Sequence, residues 1–365
     1  PCVRPVLQAL VHVPFPGADR AAGSRMRKVI WPQTKKPSES VTGSSGWEAA
    51  LTNTLNKGDK VLSARFGQFS HLWIEMCKKL HIDVEVVDVE WGSGTPHAEF
   101  EKILSEDNNH EIKAVLITHN ETSTGVTNDV KATRDLLNKL NHPALLFVDG
   151  VSSIGSIKFE MDAWGVDVAV SGSQKGFMLP AGLAISCVSQ KALERAKTSN
   201  LPRAYFDYHD MLKINETGYW PYTNPMPLLR GLREALTMMH EEGLDHIYAR
   251  HLFLAQAVQK ASEAWGLKLC AKDPSLYSNT VTAIMVPEGI DSTDVVKTAY
   301  NKYNTSFGGG LSQVAGKLFR IGHLGDLNST MILGAISTAE LAMYDVGIKF
   351  ELGSGVAAAI KHLKV

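Results

Sequence analysis

The sequence predicts an α/β fold: a large domain built on a mainly parallel sheet, then a smaller C-terminal α+β domain. Three observations carry this. Short apolar runs alternate with amphipathic stretches from Gly46 to about Val188. The runs are apolar on both faces, as strands covered by helices on either side require. After about Pro227 the alternation gives way to a long helical region and only two further strand patterns.

The elements follow in order. Trp47 to Asn56 reads as a helix, and Lys60 to Ala64 as a strand after the turn Lys57-Gly58-Asp59. Phe69 to Leu80 is an amphipathic helix, Asp83 to Val89 a strand, and Phe100 to Ser105 helical. Ile112 to Thr118 and Ala144 to Val148 are near-continuous apolar strands flanking a helix at Val130 to Leu140. Asp167 to Ser171 and Leu183 to Val188 are short strands. The helical region 227–265 breaks near Gly243. Strands at Thr280 to Val286 and Leu318 to Ile321 and helices at Ser292 to Tyr303 and Ser329 to Val346 complete the chain. The division is 1–40 as a divergent leader or arm, 41–240 as the large domain and 241–365 as the small one.

Bulk properties exclude several classes. A net charge of -1 over 365 residues gives no electrostatic case for nucleic acid or an anionic membrane. Cys2, Cys77, Cys187 and Cys270 are scattered without CxxC spacing, which argues against a structural zinc or a disulfide framework. No apolar run approaches the roughly 20 residues of a membrane span. The first forty residues stand apart: Arg4, Arg20, Arg25, Arg27, Lys28, Lys35 and Lys36 face only Asp19 and Glu39, and prolines interrupt any helix. That composition fits a transit peptide or an irregular leader.

The chemistry gathers at strand ends, where ligands of parallel α/β sheets sit. Thr118-His119-Asn120-Glu121, Asp149-Gly150 and Ser171 to Lys175 all fall there. Lys175 lies in an otherwise uncharged segment between Gly172 and Gly176, where poor solvation would lower its pKa and make it nucleophilic. Asp149 alone would suit a turn or a helix cap. Together an amine and an acid at one sheet edge suit pyridoxal phosphate (PLP), which needs a Schiff-base lysine and an acid for its ring nitrogen. Thr42-Gly43-Ser44-Ser45-Gly46, before the helix at Trp47, reads either as an ordinary N-cap or as a phosphate cradle. No GxGxxG follows a strand, and Ser171-Gly172-Ser173 is not a GxSxG elbow, so dinucleotide binding and serine hydrolysis are unsupported.

Six segments then fall in register: GWEAALTNTLNKG at 46–58, HNETSTGVTND at 119–129, VDGVSSI at 148–154, WGVDVAVSGSQK at 164–175, YWPYT at 219–223 and VAGKLFRIGHLG at 314–325. They resemble the class V aminotransferases of PLP fold type I, in particular the plant-type serine–glyoxylate (alanine–glyoxylate) enzymes. The resemblance implies a homodimeric transaminase with a ping-pong cycle, taking serine or alanine as donor to glyoxylate. It implies Lys175 as Schiff-base lysine and proton shuttle, Asp149 at the ring nitrogen, Phe69 stacked on the ring and Val151 against its other face. Thr122 would lie near the ring oxygen, and Thr42, Gly43, Ser44 and Gln174 at the phosphate. Tyr222 and Thr223 would reach the neighbouring subunit's phosphate, and Arg320 would clamp the substrate carboxylate; without the resemblance, Phe69 reads as core and Arg320 as a surface arginine in a salt bridge. It also implies a peroxisomal enzyme, although His362-Leu363-Lys364-Val365 is not an SKL-type signal and a cytoplasmic location is the alternative.

Two departures qualify the match. The family's N-terminal Pro-Gly-Pro turn and dimer arm are not recognisable before Val41, and Ser45 stands where relatives carry glycine, which would strain a turn with positive φ. The remaining readings are another class V enzyme, such as a cysteine desulfurase with a loop cysteine, and a degenerate PLP-binding homologue with weak or no turnover.

Overall fold

The computed structural model describes residues 38–39 and 43–364. Its main sheet has seven strands in the order β1-β9-β8-β7-β4-β2-β3. In chain order the first half runs β1 (Ser38–Glu39), α1 (Gly43–Thr54), β2 (Lys60–Arg65), α2 (Gln68–Lys79), β3 (Asp83–Asp88), α3 (His97–Glu106) and β4 (Ile112–Thr118). A small hairpin, β5 (Asn120–Glu121) and β6 (Val126–Thr127), leads to α4 (Val130–Lys139), β7 (Leu145–Asp149), β8 (Val168–Gly172) and β9 (Ala184–Val188). Neighbours from β3 through β8 are parallel, whereas β9 pairs antiparallel with β8 and β1 antiparallel with β9. The antiparallel edge has a direct cause: only the short 173–183 loop joins β8 to β9, too little chain for a crossover.

Strands β7, β8 and β9 are buried at every position. Apolar side chains on opposite faces of the sheet therefore form two cores. One holds Leu62, Val115, Leu146, Val148 and Ala169; the other holds Val61, Ala114, Leu145, Phe147 and Val170. Each large side chain so buried contributes about 1.5–3 kcal/mol.

Helices α5 (Gln190–Ala196), α6 (Tyr208–Asn215), α7 (Met226–Glu242) and α8 (Leu244–Ala264) follow. The break falls at Gly243, whose φ of 83 ends one helix and begins the next. Beyond it lie β10 (Val281–Met285), α9 (Ser292–Tyr303), β11 (Gly308–Gly309), β12 (Leu318–Gly322), α10 (Ser329–Asp345) and α11 (Ser354–Leu363). The last three strands form an antiparallel sheet in the order β10-β12-β11, covered by a separate core that includes Leu254, Phe319, Ile336 and Met343.

The sequence places most of these elements within a few residues. It omits α5, α6, α11, both small hairpin strands and the two-residue strands β1 and β11. It also starts the first helix too late: α1 begins at Gly43, so 43–46 form its first turn instead of preceding it. Ser45 lies in that helix and is absent from the positive-φ residues, so the strain expected there does not arise.

Phe147 is fully buried under α1 and α2. Phe147→Ala is expected to cost about 3–5 kcal/mol through lost burial and the cavity left behind. Urea unfolding checks this; a loss under about 1 kcal/mol would contradict the packing described.

Candidate active site

The site lies at the carboxyl ends of β4, β7 and β8. Asp149 is the last residue of β7, fixed on one side by Gly150 N donating to Val170 O at 2.8 Å. On the other side His119 N donates to Asp149 O at 2.9 Å. Its carboxylate accepts a hydrogen bond from Val151 N at 2.9 Å. It is only 4% exposed. Burial pushes its pKa up to about 7; Glu121 nearby raises it further, while the Val151 N–H, the Trp47 indole and Lys175 oppose. The Trp47 N–H reaches this carboxylate by proximity only, for it makes no well-formed hydrogen bond.

Lys175 sits in the loop after β8. Ser173 closes that loop: its hydroxyl donates to Pro180 O at 2.8 Å and accepts from Leu183 N at 3.1 Å. Gly176 lets the loop press on the turn after Asp149, since a Cβ there would stand 2.3 Å from Ile154 O. That contact brings amine and acid to one place. Burial, then the charge of Arg320, lowers the Lys175 pKa, with Asp149 opposing.

Arg320 comes from β12. It is not the surface arginine in a salt bridge that the sequence alone suggests. Its side chain is half-buried and held by carbonyls: Nε donates to Gly309 O at 3.0 Å and Nη1 to Thr122 O at 3.0 Å. Thr122 follows the β5 strand and donates from Oγ1 to Ser152 Oγ at 2.8 Å. Ser152 is itself bound to Asn120, and Thr280 Oγ1 donates to Ser152 O at 3.0 Å. One hydroxyl and amide network thus joins β5, the turn after β7 and the start of β10.

The other sequence-predicted residues fall as follows. Phe69, half-buried, is in the first turn of α2. Val151 packs on α1, where a Cβ on Gly43 would lie 2.5 Å from Val151 Cγ2. Ser44 is exposed in the first turn of α1. Gln174 folds over Gly172, and its Oε1 is buried without a partner. Tyr222 and Thr223 are exposed, with Tyr222 stacked on Tyr205 at 4.6 Å. Thr42 lies outside the described residues. Sequence reasoning missed the roles of Glu121, Ser152, Thr280 and Trp47. Glu121 alone carried a signal, as an acid among hydroxyls at a strand end.

The Aminotransferase class-V family model matches residues 42–312. The chain belongs to the class V aminotransferases. It is 57% identical over 328 residues to the serine–glyoxylate aminotransferase of Methylorubrum extorquens, covering 88% of this chain and 82% of that one. It is 51% identical over 361 residues to the L-aspartate–glyoxylate aminotransferase of Paracoccus denitrificans, covering 99% and 89%. Among solved structures, the pyridoxamine–pyruvate aminotransferase from Mesorhizobium loti is similar with a TM-score of 0.88 at 26% identity, covering 98% of this chain and 93% of that one.

This aminotransferase has the fold of PLP fold type I and is a PLP-dependent transaminase. Its residues fit the cofactor. A buried carboxylate whose pKa is raised to about 7 lacks a cationic hydrogen-bond donor, which a protonated ring nitrogen supplies. The orphaned Gln174 Oε1, in the loop that carries Lys175, shows unmet polar capacity beside it. The described cysteines count against desulfuration: Cys77, Cys187 and Cys270 are buried, and burial pushes the thiols of Cys77 and Cys270 up to about 12 and about 11.

Asp149 makes stability depend on pH. Its folded pKa exceeds the unfolded one, so the folded state holds an extra proton between about pH 4 and 7 and loses stability as pH rises through that window. Without cofactor, the wild type is expected to lose on the order of 4 kcal/mol more than Asp149→Asn between about pH 4 and 8. Urea unfolding across that range measures it; parallel curves for the two proteins would refute it.

Proposed function

We propose that the enzyme moves the amino group of serine to glyoxylate, giving hydroxypyruvate and glycine. The observation that carries this is the joining of Asp149, Lys175 and a carbonyl-held Arg320 in one site, in a chain 57% identical to a serine–glyoxylate aminotransferase.

When bound, PLP supplies an electron sink for bond breaking at the substrate α-carbon. The first turn of α1, with Gly43, Ser44 and the adjacent Thr42, would hold the phosphate through N–H and hydroxyl donors, aided by Gln174. Phe69 and Val151 would confine the ring, and Thr122 would address its oxygen. Asp149 would pair with the protonated ring nitrogen, whose positive charge favours the ionised carboxylate. Lys175 Nζ, whose pKa burial and Arg320 lower, would take the α-proton and return one. Arg320, already oriented by two carbonyls, offers its remaining N–H groups to the α-carboxylate.

A second reading has L-aspartate as donor, favoured by the Paracoccus relative at 51% identity. The higher identity to the serine–glyoxylate enzyme, 57% against 51%, favours serine. We infer that a homodimer completes the site, with Tyr222 and Thr223 serving the neighbouring phosphate; their exposure supports this.

Purified protein loaded with PLP is expected to show a visible absorption band that serine bleaches and glyoxylate restores. Lys175→Ala is expected to lose both the band and turnover. A wild-type band that serine leaves intact but aspartate bleaches would favour the second reading. Arg320→Ala is expected to raise KM for the amino donor roughly 30- to 300-fold, with kcat changed less than about tenfold. Steady-state kinetics decide; an unchanged KM would remove Arg320 from the carboxylate clamp.

A further inference from the structure

Glu121 is fully buried, yet it touches neither the amine nor the acid described above. Its acceptors are met by N–H and O–H donors. Oε2 accepts from Phe69 N and Ser70 N, both at 3.0 Å. Oε1 accepts from Ser123 N at 3.1 Å, Ser123 Oγ at 2.7 Å and Phe69 N at 3.3 Å. The carboxylate therefore caps α2 from another part of the chain, where a negative charge is favoured. Gly67 makes room for it: a Cβ there would meet Glu121 Cδ at 2.2 Å. The next residue in the chain is Thr122, which holds Ser152 with its hydroxyl and Arg320 with its carbonyl.

We propose that Glu121 is a positioning residue, tying the start of the Phe69 helix to the Thr122–Arg320 clamp and so fixing the ring-stacking side chain relative to the carboxylate-binding one. The proposal rests on the reading that Phe69 and Thr122 flank PLP. Glutamine cannot substitute. Either orientation of its amide turns an NH2 group toward two backbone N–H donors that cannot accept, those of Phe69 and Ser70 or those of Ser123 and Phe69. The loss is therefore felt at both ends of the bridge.

The test uses full-length protein reconstituted with PLP. Glu121→Gln is expected to weaken cofactor binding about tenfold, as loss of a charged hydrogen-bond set implies. It is also expected to diminish the visible circular dichroism of bound cofactor, which reports ring orientation, and to raise the KM for serine more than it lowers kcat. A variant of lowered melting temperature whose cofactor affinity and visible circular dichroism stay within about twofold of wild type would show a mere structural cap and overturn the proposal. If Glu121→Gln fails to fold, Ser123→Ala decides: it keeps the charge and removes one donor. A milder form of the same signature, about threefold in affinity, supports the proposal, and wild-type values overturn it. Failure of the wild type itself to bind PLP would sink the underlying cofactor reading instead.

Discussion

The burial of a carboxylate at the end of a parallel strand is the constraint on which this site depends. Asp149 ends β7 between two strands that hold its backbone from either side. Cores on both faces of the sheet keep water from its side chain. A free carboxylate in such a place is costly, which is why its pKa rises to about 7. The Val151 N–H offsets part of that cost, and a cation placed beside the carboxylate would offset more. The same desolvation acts in the opposite direction on Lys175 and makes its amine available. One buried pocket thus shifts the acid up and the amine down.

The groups around that pocket are held by long-range hydrogen bonds. Arg320 spans 198 residues to reach the Thr122 carbonyl, and Asn120 spans 160 to reach Thr280. The small antiparallel sheet is thereby fastened to the hairpin that follows β4. Neutral carbonyl acceptors orient the guanidinium without cancelling its charge. A carboxylate in their place would satisfy Arg320 internally and leave less for a substrate.

Lys175 and Asp149 were legible in the sequence because their signal is local: a polar residue ending an apolar run. The helix over 292–303 was legible for the same reason, and Asp291 caps it through Thr293 N. Glu121, Ser152 and Thr280 were not legible in role, because the partners that tie them to other elements lie 30 to 160 residues away. The antiparallel turn of β9 was hidden as well. Its five residues are as buried as those of parallel β8, so direction left no trace in the pattern. Arg320 misled when read by itself, since a strand arginine shows nothing of the carbonyls that will face it.

This separation between local and distant signals has a physical origin. Apolar periodicity records only whether a side chain meets water, and a strand-end residue inherits its address from that record. Satisfaction of a buried polar group is a demand of another kind, met by whatever donor the fold brings within about 3 Å. Glu121 has no cation nearby in sequence, and its burial becomes tolerable only once the amides of α2 are placed against it. The Asp149–Lys175 pair was therefore readable from the strands that carry it, while the groups bonded to the start of the Phe69 helix and to Arg320 became readable only when the strands were assembled.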